Sequence, residues 1–332
     1  MTKHKTINGL MKDLRDKKGL KISGSIQKRQ LLNIGYFHGY KGYRYFQNDT
    51  ARFVINDFSQ LLAIYDFDNS LKALMYPPLM KIETAIKSHF VEVVVTDYGS
   101  DFTDIYDNAL NRHKEKSKAI SKDKRKIQQL HKTKLGLRTS IYETIHERFI
   151  NETESKRKIV THYQDKGVQV PIWALMEIIS LGQLLHIFSC LNTPLMKKLG
   201  LSLKLDASNL LQDGGLPELV LIAIKDLRNA IAHNAPVFDC RFSSSNVPAS
   251  IKNYIRNELG IDTNFNSITD YVILIFLVLL RIENKLTEGR KLIRQFSLII
   301  DDLKLKVPED VFYSIISSDA TGKLETCLKY RI

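Results

Sequence analysis

The sequence predicts a mainly all-α fold. Three observations carry that expectation. Apolar residues recur at helical spacing through most of the chain. β-type alternation is confined to two short stretches, Gly39 to Phe46 and Val237 to Phe242. Gly, Pro and Asn fall where helices would start and stop. With 332 residues the chain can bury a substantial core, as one large domain or two ordinary ones. Its 44% hydrophobic and 26% charged composition excludes a fibrous or mainly disordered protein.

In chain order, residues 1–50 form an N-terminal region that is polar at its start. No apolar segment follows Met1 to Lys5, so no signal peptide is expected. From Asp57 to Val95, Leu61, Leu62, Tyr65, Leu71, Leu74, Ile82, Ile86 and Phe90 follow helical spacing. Pro77 and Pro78 should break or kink that stretch into two helices, because proline removes a donor and clashes with the preceding turn. Residues 51–110 and 135–290 are expected to make the helical core, with 111–134 inserted as a basic arm and 291–332 as short helices. Arg138 to Tyr163 reads as helix, and Pro171-Ile172-Trp173 opens another that runs to about Cys190, with Trp173 in the core. Gly214-Gly215 and Pro217 form a break that starts a helix whose stripe is Leu216, Val220, Ala223, Leu227 and Ile231. Asn234-Ala235-Pro236 ends it, since the residue before proline avoids the α region. A helix near Ile251 to Leu259 and a buried core helix from about Thr269 to Leu286 follow. The apolar run Tyr271 to Leu280 is too short for a bilayer span, which needs about 20 residues.

Charge narrows the partners. Lys and Arg number 49 against 36 Asp and Glu, a net charge of +13, and a basic protein is drawn to polyanions because phosphate contacts release counterions. Between Arg112 and Lys134 ten basic residues stand against two acids, Lys122, Lys124, Arg125 and Lys126 among them. The segment reads either as a projecting RNA-binding arm or as a solvated helix face. Three widely spaced cysteines (Cys190, Cys240, Cys327) with no Cys-x-x-Cys pair argue against a zinc knuckle or disulfide framework and fit a reducing cytoplasm. The eight histidines other than His233 show no ligand spacing, with His89 and His186 expected near helix interfaces, and no metal or other cofactor is expected. No P-loop, dinucleotide fingerprint or Gly-x-Ser-x-Gly elbow is present.

One constellation suits a reaction. Arg228, Asn229 and His233 lie at the end of a helix, Asn229 and His233 four residues apart on one face and Arg228 offset from His233 by about 140°. Cleavage of RNA by the ribose 2′-hydroxyl needs a base for its proton and a cation for the pentavalent phosphorane. Histidine titrates near neutrality, arginine grips phosphate as a bidentate fork, and asparagine can orient the imidazole or donate to phosphate. An exposed arginine and a histidine that merely caps the helix fit the same spacing. Tyr36, Phe37, Tyr40, Tyr43, Tyr45 and Phe46 interleave with Lys41 and Arg44, a pattern for stacking bases or for ordinary packing.

Arg228-Asn229-Ala230-Ile231-Ala232-His233 resembles the HEPN ribonuclease motif, in which a polar residue follows the arginine. Further segments look like those of the abortive-infection (Abi) family typified by AbiD and AbiF: Leu32 to Tyr40, Phe58 to Asp68, Ile82-Glu83-Thr84-Ala85-Ile86-Lys87-Ser88, and Pro171-Ile172-Trp173 through Ser180-Leu181-Gly182. They come in the family's order and span about residues 20 to 285. The resemblance implies a HEPN-like helical bundle, phage defence by growth arrest, and RNA cleavage at a composite site where two copies of the motif meet. With one copy per chain it implies a homodimer. It implies RNA as substrate and, as in some relatives, a small non-coding RNA that restrains the toxin. A catalytically silent RNA-binding protein of the same fold is the alternative. Catalysis is expected from Arg228, Asn229 and His233, RNA contacts from Lys87, Lys122, Lys124, Arg125, Lys126 and Arg241, and support from Glu83. Glu83 and Lys87 also read as an ordinary i,i+4 ion pair. Two positions depart from the pattern. Lys87 stands where the family tends to have Arg, and Ala235 where toxins paired with a nucleotidyltransferase carry Tyr, which argues against nucleotide attachment there. A membrane-surface protein using the basic arm is a third reading, without a strong amphipathic anchor to support it.

Overall fold

The structure, a computed structural model, describes residues 6–45, 53, 55–118, 123–151, 157–206, 214–243 and 247–331. Among these the chain is helical with no strand, as expected; an isolated β-bridge joins Lys21 and Asp57. The helices are α1 (Ile7–Lys18), α2 (Gly24–Ile34), a π-helix (Gly35–Lys41), α3 (Gly42–Arg44), α4 (Phe58–Tyr98), α5 (Phe102–Asn108), α6 (Arg112–Lys118), α7 (Lys124–Ile150), α8 (Arg157–Gln164), α9 (Ile172–Ile178), α10 (Leu181–Cys190), α11 (Thr193–Ser202), α12 (Leu216–Ala232), α13 (Ala249–Leu259), α14 (Ile268–Glu283), α15 (Leu286–Lys306), α16 (Glu309–Ile315) and α17 (Ala320–Lys329). They form two compact units. One comprises Met1–Leu79, Asp226–Val247 and Ile255–Ile332, the other Met80–Lys225 and Pro248–Tyr254.

The first unit is built on α14. Every residue from Ile268 to Leu280 is buried, as a helix apolar on all sides requires. Ser267 caps its start by accepting from the Thr269 amide, and Asn284 ends it in the left-handed region. The expected core helix is thus present. α15 packs along it, and Gly289 is the close approach: a Cβ there would stand 2.7 Å from Phe276 Cδ2. α15 is 21 residues long, where only short helices were expected; its stripe of Leu292, Ile293, Phe296, Ile300 and Leu303 is buried at helical spacing. No helix among the described residues is long and apolar enough to cross a membrane.

The second unit packs α7 against α6, α8 and α10. Its core includes Ile82, Ile86, Phe90, Leu137, Ile141 and Phe188, with Phe90 and Phe188 rings 5.4 Å apart. Each such side chain taken from water contributes about 1.5–3 kcal/mol.

Several expectations change. Pro77 and Pro78 do not divide the chain, because α4 runs unbroken from Phe58 to Tyr98. Leu71, Met75, Leu79 and Ile82 continue the buried stripe past the prolines. Ala73, whose carbonyl loses its donor to Pro77, is exposed, so water can take the place of the missing bond. The helix expected from Ala174 to Cys190 is two helices. Ser180 breaks it as an N-cap, accepting from the Gln183 amide while the Gln183 side chain accepts from the Ser180 amide. Trp173 is half-exposed rather than core; Ile172, Ala174, Leu175 and Met176 take the buried face, and the indole N–H donates to the Tyr163 hydroxyl. His186 is exposed on α10 rather than at an interface. The two extended candidates are not strands: residues 39–44 are helical, and 237–242 form turns.

The basic segment does not project along its whole length. Arg112 is buried and pairs with Glu218 at 2.5 Å, and Lys134 is buried with its ammonium 4.4 Å from the Tyr106 ring centroid. Between them, Lys124, Arg125 and Lys126 are exposed in the first turn of α7, which Asp123 caps. Lys122 lies outside the described residues.

Candidate functional site

The amphipathic stripe of α12 decides where its polar residues go. Near the C-terminus Leu227, Ala230 and Ile231 are buried, so Arg228 and Asn229 lie half-buried at the edge of the stripe and His233 is exposed beyond it. The helix closes in a Schellman turn. The Ala235 amide donates to the Ala230 carbonyl at 2.8 Å and the Asn234 amide to the Ile231 carbonyl at 3.1 Å, with Asn234 left-handed at φ 54°. His233 is therefore the capping residue itself, its amide bonded to the Asn229 carbonyl at 2.9 Å. Arg228 Nη1 donates to Asn229 Oδ1 at 3.3 Å, which joins two of the three residues directly.

The turn after His233 is held by residues that spacing alone did not single out. Asp68, fully buried on α4, accepts from the amides of Val237 and Phe238, both at 2.7 Å. Its other oxygen accepts a hydrogen bond from the Tyr43 hydroxyl at 2.7 Å and pairs with the Lys72 ammonium at 2.8 Å. Lys72 also donates to Asn234 Oδ1 at 2.9 Å, and Asn234 Nδ2 stands 3.3 Å from His38 Nε2. Burial, then the charge of Asp68 and the hydrogen bond to it, pushes the Tyr43 hydroxyl far above its ordinary value, so it stays a donor. The signal for this network lay in Asp68 and Lys72, an i,i+4 pair inside the helical stretch, and in Asn234 ahead of Ala-Pro.

The remaining candidates are placed as follows. Arg241 is engaged: it pairs with Asp239 at 2.6 Å, donates to the Tyr45 carbonyl at 2.6 Å, and its guanidinium carbon lies 5.6 Å from the Phe238 centroid. Glu83 and Lys87 belong to the second unit and pair with each other at 2.8 Å. Of the aromatic segment, Tyr40 and Tyr43 are core, whereas Phe37 is 74% exposed beside Lys41, whose ammonium lies 5.0 Å from its centroid. Phe46 lies outside the described residues. Among the described residues no group of three or more His, Cys, Asp or Glu is placed to hold a metal ion. The three cysteines are buried and free.

An exposed imidazole, an adjoining guanidinium and an amide at one helix end can exchange a proton and bind an oxyanion. The profile of a family described as Abi-like protein matches residues 29–239. That span takes in Arg228 to His233 and also His38, Asp68, Lys72 and Asn234. No curated protein and no solved structure matches the chain. The matched span covers well over half of the sequence, and the chain belongs to the Abi-like protein family.

Proposed function

We propose that the chain is an endoribonuclease toxin of HEPN type that cleaves RNA by 2′-hydroxyl attack without a metal. Membership of the Abi-like family supports a role in phage defence by abortive infection; the AbiF or AbiD subtype in this reading draws on the resemblance of the sequence segments alone. The observation that carries the enzymatic reading is the grouping of Arg228, Asn229 and His233 at the closing turn of α12, with the imidazole exposed and the guanidinium bonded to Asn229.

In this reading two copies of the chain meet at one site. His233 of one copy takes the 2′-hydroxyl proton as the 2′-oxygen bonds to phosphorus. The imidazolium of the second copy gives its proton to the 5′-oxygen as that bond breaks. The products are a 2′,3′-cyclic phosphate and a 5′-hydroxyl, and Arg228 steadies the charge on the phosphorane. The exposed first turn of α7, with Lys124, Arg125 and Lys126, supplies sequence-independent attraction for the RNA backbone.

The test is cleavage of a labelled mixed-sequence RNA in EDTA by wild type, Arg228→Ala and His233→Ala. Cleavage by wild type alone, leaving cyclic phosphate ends, is the expected result. Equal cleavage by all three removes Arg228 and His233 from the chemistry. A second reading, a silent RNA-binding protein acting with a small non-coding RNA, draws on the engagement of the Arg228 guanidinium by Asn229. It predicts RNA co-purifying with the protein and toxicity that survives His233→Ala.

A further inference from the structure

A second imidazole stands at the same turn. His38 is exposed on the π-helix, 196 positions from Asn234 in sequence, yet its Nε2 lies 3.3 Å from the side-chain nitrogen of the residue that follows His233. π-Helical segments are rare and frequently fall at functional sites, and this one runs seven residues, Gly35–Lys41. This one is entered through Gly35 at φ 73°, where a side chain is strained.

The hydrogen bonds fix which way His38 works. Lys72 is only a donor, so the Asn234 atom it touches at 2.9 Å is the carbonyl oxygen. The Asn234 amide nitrogen must then face His38, and an amide nitrogen only donates. His38 Nε2 is therefore the acceptor and the ring proton is on Nδ1. Among the described residues no partner takes that Nδ1 proton, while Tyr43 and Tyr65 hold the ring edge-on with centroids 6.3 Å away. The polarity runs in one direction: Asp68 holds Lys72, Lys72 turns Asn234, and Asn234 turns His38.

We propose that His38 belongs to the RNA-cleaving site and donates from Nδ1 to a non-bridging oxygen of the substrate phosphate, presented there by Asn234. The inference rests on the reading of Arg228 and His233 as the cleaving pair. It adds a hydrogen bond and no proton transfer, so the bonds formed and broken are those already written. It makes His38 a catalytic residue and Asn234 a positioning residue.

The experiment uses the full-length chain with histidine side chains labelled with nitrogen-15, titrated with a mixed-sequence 2′-O-methyl RNA that cannot attack its own phosphate. The His38 and His233 signals are assigned from the two alanine variants. In the free protein the His38 pattern should be that of an Nδ1-protonated ring, and Asn234→Gly should abolish that preference, since glycine keeps the left-handed turn and removes only the amide. RNA should shift the His38 and His233 signals together, and His38→Ala should cleave unmodified RNA about 100-fold more slowly, as for loss of one oxyanion donor, with binding and melting temperature retained. A His38 signal that stays in place while that of His233 moves, or wild-type cleavage by His38→Ala, overturns this inference and leaves the cleaving pair intact. Bound RNA that moves neither signal, with an inert wild type, overturns both.

Discussion

The Lys72 ammonium meets the side-chain oxygen of Asn234 at 2.9 Å, across 162 positions of sequence. One turn earlier on α4, Asp68 meets the amides of Val237 and Phe238. The turn that carries the chain away from His233 is thus gripped at both ends by two residues of a single helix. A helix end that would otherwise fray becomes a fixed platform for an imidazole.

This grip predicts an asymmetric double-mutant cycle. Lys72→Met leaves the Asp68 carboxylate buried without its cation and should cost about 3–5 kcal/mol in urea unfolding. Adding Asp68→Leu removes the orphaned charge but strands two buried amides, each worth about 1–3 kcal/mol. The double variant should therefore recover little or none of the loss. Full recovery would show that Asp68 serves Lys72 alone and not the backbone of the turn.

Asn234 separates backbone from side chain. At φ 54° alanine is disfavoured and glycine is not, so Asn234→Ala should be less stable than Asn234→Gly by about 1 kcal/mol. Thermal melts of the two variants measure the difference. Equal melting temperatures would mean the turn relaxes when the Lys72 contact is gone.

The prolines of α4 give a third prediction. Pro77 and Pro78 each withhold an amide from a helix that continues past them. Replacing both with alanine should stabilise the chain by about 1 kcal/mol or more, after allowing for the greater freedom of the unfolded chain. A destabilised variant would mean that the prolines set a bend the packing requires.

These prolines also show where sequence stops informing. Locally, Pro-Pro argues for a break, and only the burial of Met75, Leu79 and Ile82 on one continuous face overrides it. The ends of α12 were legible because Gly-Gly-Leu-Pro and Asn-Ala-Pro are local signals, and the Arg228 to His233 spacing was legible with them. The break at Ser180 goes unread: Ser-x-x-Gln is a capping box, but the apolar run on either side masks it. The links from Tyr43 to Asp68, Lys72 to Asn234 and Asn234 to His38 join residues 25, 162 and 196 positions apart, and no periodicity encodes such pairs. Asp68 and Lys72 stand four residues apart, a spacing that reveals nothing of the distant turn they hold.

The C-terminal helix carries a pH dependence. Burial alone would draw the Lys323 ammonium down, but the hydrogen bond and charge of Asp270, then those of Asp319, outweigh it and hold it above the usual 10.5. A raised lysine contributes stability that is fully present below its unfolded value and is lost as pH rises through its folded one. Lys323→Met, which leaves buried Asp270 unpaired, should cost about 3 kcal/mol at neutral pH, and the gap to wild type should narrow above pH 10.5. Chemical denaturation at pH 7 and pH 11 tests the sign. A gap that widens with pH would place the stabilising charge elsewhere.

The exposed first turn of α7 gives the last prediction. Lys124, Arg125 and Lys126 lie in the same turn with their side chains in solvent, whereas Arg112 and Lys134, at the ends of the same basic segment, are engaged by Glu218 and Tyr106. Only the exposed cations are placed to exchange counterions for phosphate. Replacing the three with alanine should lower RNA affinity and flatten the slope of log affinity against log salt by about 2, at about 0.7 for each phosphate of a single strand that is no longer neutralised. Arg112→Ala should instead lower stability, through Glu218, and leave that slope unchanged. A slope insensitive to the triple substitution would make this face of α7 a solvated surface, and the attraction for RNA would have to come from the remaining basic residues.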